Sequence, residues 1–246
     1  MTKVVLALAV VTTGVLLLTA PLGAQTGSNA ALTANSNIFL AGGNGPNPPA
    51  GGTSPYLVNI TTAGLGRVAT FNATGSWAPW NTGCPCTGPD GADLVGADTD
   101  ISSWGSIAGI SGPLNMWLVG VFLGPSVPVA APTRRSYTAA EYTAASFGDI
   151  QLGQVFFIGD GLTGTGGGAA QQFLVPDNAT RLYLGVADAP WFVGDPQWYD
   201  DNRGSMSVSW DIGTPRADVV PEPATVTLLA TGLAGVAASR RKRTKE

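Results

Sequence analysis

The stretch GSMSVSWDI at 204–212 constrains this chain more than any other. Met206, Val208 and Trp210 fall on one side and Ser205, Ser207 and Ser209 on the other. A period of two with one apolar face describes a half-buried strand of an antiparallel sheet. GRVATFNATG (66–75) repeats the pattern, with Ala69, Phe71 and Ala73 opposite Thr70 and Asn72. LNMWLVGVFLG (114–124) is apolar almost throughout and reads as a central strand buried on both faces. YLVNI (56–60), QVFFIGD (154–160), QQFLVPD (171–177) and RLYLGVAD (181–188) complete a series of short strands. Between them lie turns rich in Gly (34) and Pro (18), and charged residues make up only 11 % of the chain. This is the profile of an all-β domain. The expected architecture is an antiparallel β-sandwich of jelly-roll type. NIFLAGGNGPNPPAGGTSP (37–55) reads as a leading loop, IGDGLTGTGGG (158–168) as a hairpin connection, and YTAAEYTAASFG (137–148) as holding a short helical turn. No repeat period marks a solenoid.

The two ends stand apart from this body. Lys3 precedes an apolar run from Val4 to about Ala20, followed by Leu22-Gly23-Ala24. That is the plan of a secretory signal peptide cut after Ala24, an apolar helix too short for a typical membrane span. At the other end, Pro221-Glu222-Pro223 precedes an uncharged stretch from Ala224 to Ala238. Arg240, Arg241, Lys242, Arg243 and Lys245 follow. The expected organisation is therefore a signal peptide (1–24), a β-sandwich (25–218) and a terminal segment with an apolar helix (219–246). The basic cluster would hold its end on the cytoplasmic side of a membrane.

The terminal segment resembles the PEP-CTERM sorting signal of bacterial exported proteins, on the Pro-Glu-Pro, the apolar stretch and the Arg/Lys cluster together. Such tails are also described as ice-binding protein C-terminal domains, which implies no contact with ice here. The resemblance implies membrane association through the apolar helix before processing and recognition by an exosortase. It also implies delivery to the cell surface, outer envelope or extracellular matrix.

Without its ends the chain is acidic. Residues 25–218 hold six Arg and no Lys against fourteen Asp and Glu, a net charge near −8. Nucleic acid is not a fitting partner for such a body, whereas cations and neutral sugars are. The chain contains no His, which removes the Ser-His-Asp triad and the commonest zinc ligand. Enzymatic activity is not expected. Cys84 and Cys86, in GCPCTG, are the only cysteines. An exported protein favours pairing them, but a ring across one residue is tight, so a local disulfide and two free thiols both remain open. Two cysteines without His do not make a zinc site. The acidic stretch 88–100 lacks a complete calcium-loop pattern and reads as a solvated loop.

The chemistry concentrates in VADAPWFVGDPQWYDDNRGSMSV (186–208). Asp188 ends one expected strand, and Asp201 and Asn202 introduce another. If those strands lie together, carboxylate, amide and loop carbonyl oxygens meet at one end of the sheet, a hard-oxygen site suited to calcium. Trp191, Phe192 and Trp198 occupy the same loop, a costly placement unless they pack or bind something. They are the candidate surfaces for stacking on a sugar.

The segment resembles the calcium-site region of galactophilic bacterial galactose-binding lectins, in which a strand-end Asp is followed by a loop and an aromatic-Gly-Asn-Asn-Ser-Gly-Ser pattern. Here the order is Asp188, the loop, then Tyr199-Asp200-Asp201-Asn202-Arg203-Gly204-Ser205. The resemblance implies a galactose-binding-like β-sandwich with calcium held by Asp188, the Trp198 carbonyl, Asp201, Asn202 and an earlier carbonyl in GSWAPW, assigned to Trp80. Sugar hydroxyls would complete the shell, making the protein a lectin-like binder of carbohydrate or exopolysaccharide. Asp201 stands where the family has an amide, Asp200 where it has Gly and Arg203 where it has Ser, and the loop after Asp188 is longer. The rival readings are a matrix protein whose calcium only stiffens the loop, and a carbohydrate-active hydrolase using the loop acids.

Overall fold

The computed structural model describes residues 24–49, 51–62, 64–80 and 86–213. The expected signal peptide up to residue 23, the expected sorting segment and Cys84 lie outside them. Among the described residues the chain is all-β, with short 3-10 turns as its helical content. No helix among them is long and apolar enough to cross a membrane.

Two sheets carry the fold. The larger has five strands in the order Gln25–Thr33, Arg203–Gly213, Val68–Ala78, Gln172–Leu174 and Ser146–Phe147. The second has four, in the order Tyr56–Asn59, Arg181–Val186, Leu118–Leu123 and Val155–Phe157. Their inner faces share one core. Phe173 of the first sheet stacks on Phe147 at 4.7 Å between ring centroids and meets Phe156 of the second at 5.7 Å.

The expected patterns map onto this frame. Leu118–Leu123 is buried at every position and lies between two neighbours in its sheet. A strand with both faces covered has no solvent side to encode, so its sequence does not alternate. In Arg203–Gly213, Met206 and Val208 are buried while Ser205 and Ser207 are exposed. Trp210 is partly buried, and its indole covers Gly27 of the neighbouring strand so closely that any side chain there would collide with the ring.

Three segments differ from expectation. Gln25–Thr33 is an edge strand pairing with Arg203–Gly213; of its buried residues Ala30 and Leu32, only Leu32 is large enough to mark a face. The leading loop holds a 3-10 turn, Ile38–Gly43, capped by the Asn37 side chain, with Ile38 and Phe39 fully buried. The acidic stretch is not simply a solvated loop. Thr99–Ile101 belongs to a small sheet with Ile110–Gly112, Arg135–Ser136 and Val193–Gly194. Through Val193–Gly194 that sheet pins the loop that follows Asp188.

Candidate functional site

The site is built where several strand ends meet. Arg181–Val186 delivers Asp188, Val68–Ala78 delivers Trp80 just beyond its last residue, and Arg203–Gly213 begins directly after Asn202. A pocket of about 360 Å³ opens there. Trp80, Asp188, Trp191, Phe192, Trp198 and Asp201 line it, with Pro79, Ala189 and Pro190. The two sequence segments of the expected site, GSWAPW and the loop after Asp188, therefore meet at one concavity. Asn202 is not part of its wall but hydrogen bonds to Asp188, which is.

Asp188 is buried at 2 % exposure. One carboxylate oxygen accepts from the Ala189 N–H at 2.8 Å and the other from Asn202 Nδ2 at 2.9 Å. Burial dominates its titration and pushes the pKa up to about 8; the two hydrogen bonds oppose the shift, and the neighbouring Asp201 charge adds to it. The Asn202 side-chain NH₂ also donates to the Ala34 carbonyl at 3.0 Å. Both partners are acceptors, which fixes the orientation of the amide. Its oxygen is left buried with no donor, and so is Oδ1 of Asp201. Burial also raises the Asp201 pKa, opposed by its own backbone N–H and by Arg203 and added to by the Asp200 charge.

Tyr199 is the organiser that sequence reasoning did not assign. It is fully buried, and its hydroxyl accepts the Asp188 backbone N–H at 2.8 Å. Its own pKa is driven far up by burial and by the Asp188 charge, so it remains neutral. The available signal was its position in an otherwise polar run, Tyr-Asp-Asp-Asn, where one aromatic must point inward.

The loop is strained. Among the described residues five other than Gly have positive φ, and three of them are Trp191 (54°), Phe192 (61°) and Trp198 (73°). Each left-handed aromatic costs on the order of 1–3 kcal/mol and persists only where its surroundings over-determine it. Here the surroundings are the Phe192 N–H bond to Ala189 O at 2.9 Å, the pairing of Val193–Gly194 with Asp100 and Ile101, and the buried Tyr199. The result holds Trp191 76 % and Trp198 51 % exposed at the pocket. Phe192, expected beside them as a stacking surface, is instead buried at 2 % and forms the inner wall.

The donor set bears on a metal. Among the described residues no three His, Cys, Asp or Glu side chains gather as a metal cluster. A cation in this pocket would have two carboxylates, Asp188 and Asp201, and would otherwise depend on amide and carbonyl oxygens. That set is hard and all-oxygen, the preference of calcium; one oxygen each of Asp201 and Asn202 is buried without a hydrogen-bond donor. Cys86 is disulfide-bonded and no free cysteine occurs among the described residues; it takes no part in the pocket.

A family model described as the PEP-CTERM protein-sorting motif matches residues 219–242. The match spans Pro221, Glu222, Pro223, Arg240, Arg241 and Lys242, and Arg243 adjoins it; all lie outside the described residues. No curated protein matches the chain. The motif supports an exported protein whose processing partner is an exosortase and whose destination is the cell surface or the extracellular space.

Proposed function

We propose that this exported protein is a calcium-dependent carbohydrate-binding module, carried on a β-sandwich of jelly-roll type, and that the pocket at Asp188 is its binding site. One observation carries the reading. Asp201, in the wall of a pocket bearing two exposed indoles, and Asn202, hydrogen-bonded to the buried Asp188 of that wall, each keep a buried oxygen without a donor. Burying an acceptor without a partner costs about 1–3 kcal/mol each, a cost that a divalent cation removes. Asp188, Asp201 and Asn202 would hold the ion, with the Trp80 and Trp198 carbonyls completing the protein's share. Calcium would supply open positions for sugar hydroxyls. The indoles of Trp191 and Trp198 would stack on the apolar face of the ring.

The pocket reads as binding and not catalytic, because both oxygens of Asp188 are already bonded to groups that hold it in place. The competing structural reading rests on the same bonds. Asn202 links Asp188 to Ala34, so an ion there could serve only to staple the loop to the sheets. Calorimetry on the protein separates the two. The lectin reading expects calcium to raise the melting temperature and a glycan array to show binding that chelator abolishes. A calcium-stabilised protein that captures no glycan favours the structural reading, and a protein indifferent to calcium removes both. Hydrolysis of a polysaccharide that is lost in Asp201→Asn would make the pocket an active site.

A further inference from the structure

The two ends of the described body lie side by side. Gln25 pairs with Ile212, and a Cβ placed on Gly213 would lie 3.3 Å from Ala24 Cβ. This corner is fastened across the sheets. The Gln25 side-chain amide donates to Asn59 O at 2.6 Å and accepts the Thr61 N–H at 2.8 Å. Thr62 Oγ1 donates to Ile212 O at 3.0 Å. The pocket is at the opposite pole. The strand Arg203–Gly213 starts next to Asn202 and runs in unbroken register along Val68–Ala78, from Arg203 opposite Ala78 to Gly213 opposite Val68. Ten steps of about 3.4 Å place the poles about 34 Å apart.

The sequence states what leaves the first pole. An apolar run from Val4 to Ala20 precedes Ala24, and another from Ala224 to Ala238 follows Gly213. Lys3 and the Arg240–Lys245 cluster lie on the outer side of each. Basic residues flanking apolar segments stay on the cytoplasmic side, so the body between them belongs on the other side, tethered from one membrane face. The adjacency of Ala24 and Gly213 lets the N-terminal segment, until it is cut, and the C-terminal segment leave the body at one place without opening the fold. Five residues separate Gly213 from the sorting motif at 219, a reach of at most about 20 Å.

Exposed indoles at a pole have two readings, because Trp is favoured both at membrane interfaces and on sugar rings. We infer that the Gln25/Gly213 pole faces the bilayer and the processing peptidase, and that the pocket with Trp191 and Trp198 points away from the membrane. While the chain is tethered, those indoles face away from the lipid that anchors it. The inference rests on the sorting motif and the strand register, and it is independent of calcium and of sugar.

The test places a photoreactive benzophenone amino acid at Thr61, at Asp177, at Trp191 or at Trp198, one at a time, in the full-length chain in membranes lacking exosortase. Thr61 and Asp177 are exposed near the tethered pole. Illumination is expected to give lipid or membrane-protein adducts from Thr61 and Asp177, at least tenfold above those from Trp191 and Trp198. Equal yields from the two poles, higher yields from the tryptophan positions, or adducts from neither pole would each overturn it. Failure of glycan binding would leave this result untouched, so the two ideas fail separately.

Discussion

Replacing Asp188 with asparagine removes one buried titration and leaves the shape of the side chain. In the native state the carboxyl has a pKa of about 8, because burial disfavours the charge more than the Ala189 N–H and Asn202 favour it. In the unfolded chain an aspartate titrates near 3.9. Between these values the native state holds a proton that the unfolded state has lost. The sign follows from linkage: without calcium, this group's contribution is fully present in acid and falls as pH rises through the window. One proton corresponds to a slope of about 1.4 kcal/mol per pH unit. The asparagine variant lacks that slope and shares every other group. The difference in unfolding free energy between the two proteins, from urea titrations in chelator at pH 5, 6 and 7, should therefore shift by about 3 kcal/mol across the series, towards the variant at pH 7. Calcium changes the balance, since an ion needs the charged carboxylate. Its affinity for the wild type should rise up to about tenfold per pH unit from pH 5 towards pH 8, with close to one proton released on binding at pH 6. Calorimetry in buffers of different ionisation enthalpy counts that proton. Parallel stability curves for wild type and Asp188→Asn would refute the buried-carboxyl argument, whatever calcium does.

Other perturbations separate scaffold from surface. Tyr199→Phe leaves the Asp188 N–H buried without its acceptor and should cost about 1–3 kcal/mol in urea unfolding, while an intact far-ultraviolet spectrum shows that the fold survives. Trp191→Ala and Trp198→Ala remove exposed rings, so melting temperature should stay within about 2 °C, surface changes being worth at most ~0.5 kcal/mol. Glycan affinity should fall about tenfold for either. Gly27→Val drives a side chain into the Trp210 indole. It should destabilise by about 1–3 kcal/mol, as overpacking does, and chemical denaturation measures it.

How far the sequence disclosed this protein depended on side-chain size. Strands carrying Met206, Val208, Phe71 or the run Leu118–Leu123 announce themselves, because burying large apolar groups leaves a periodic mark. The edge strand Gln25–Thr33 does not, since buried Ala30 and exposed Ala31 are the same residue and leave no alternation to read. The turn at Ile38–Gly43 was hidden by its glycines: Gly42 and Gly43 take positive φ (69° and 75°) and let Ile38 and Phe39 turn into the core within a stretch that reads as loop. Most of the site was legible because its residue types are expensive without purpose. Asp188 and Asn202 were placed by their positions at strand ends. The inward turn of Phe192 was not legible, since it depends on two consecutive left-handed residues that no L-side-chain preference encodes.

Two adjacent carboxylates at 200 and 201 invite the question of what lets them coexist; the Asp200 charge still adds to the raised Asp201 pKa, and the backbone gives the two acids different partners. Trp198 in the left-handed region starts a single 3-10 turn, Tyr199–Asp201, and that turn sends the neighbours apart. Tyr199 goes into the core. Asp200 goes outward, where its carboxylate accepts the Gly52 N–H at 3.1 Å and ties the leading loop to the site. Asp201 goes to the pocket, where one oxygen finds no donor. The pair is thus divided between a structural bond and an unmet need, and only the second asks for a ligand. Asp200→Asn should keep calcium affinity within about threefold, because its contact is to Gly52 and not to the pocket. Asp201→Asn removes one of the two charges there and should weaken calcium at least tenfold, about 1.4 kcal/mol. Equilibrium dialysis of the two variants in parallel decides it: an equal loss in both would mean that the acids act as one diffuse charge cluster, and the division drawn from the turn would be wrong.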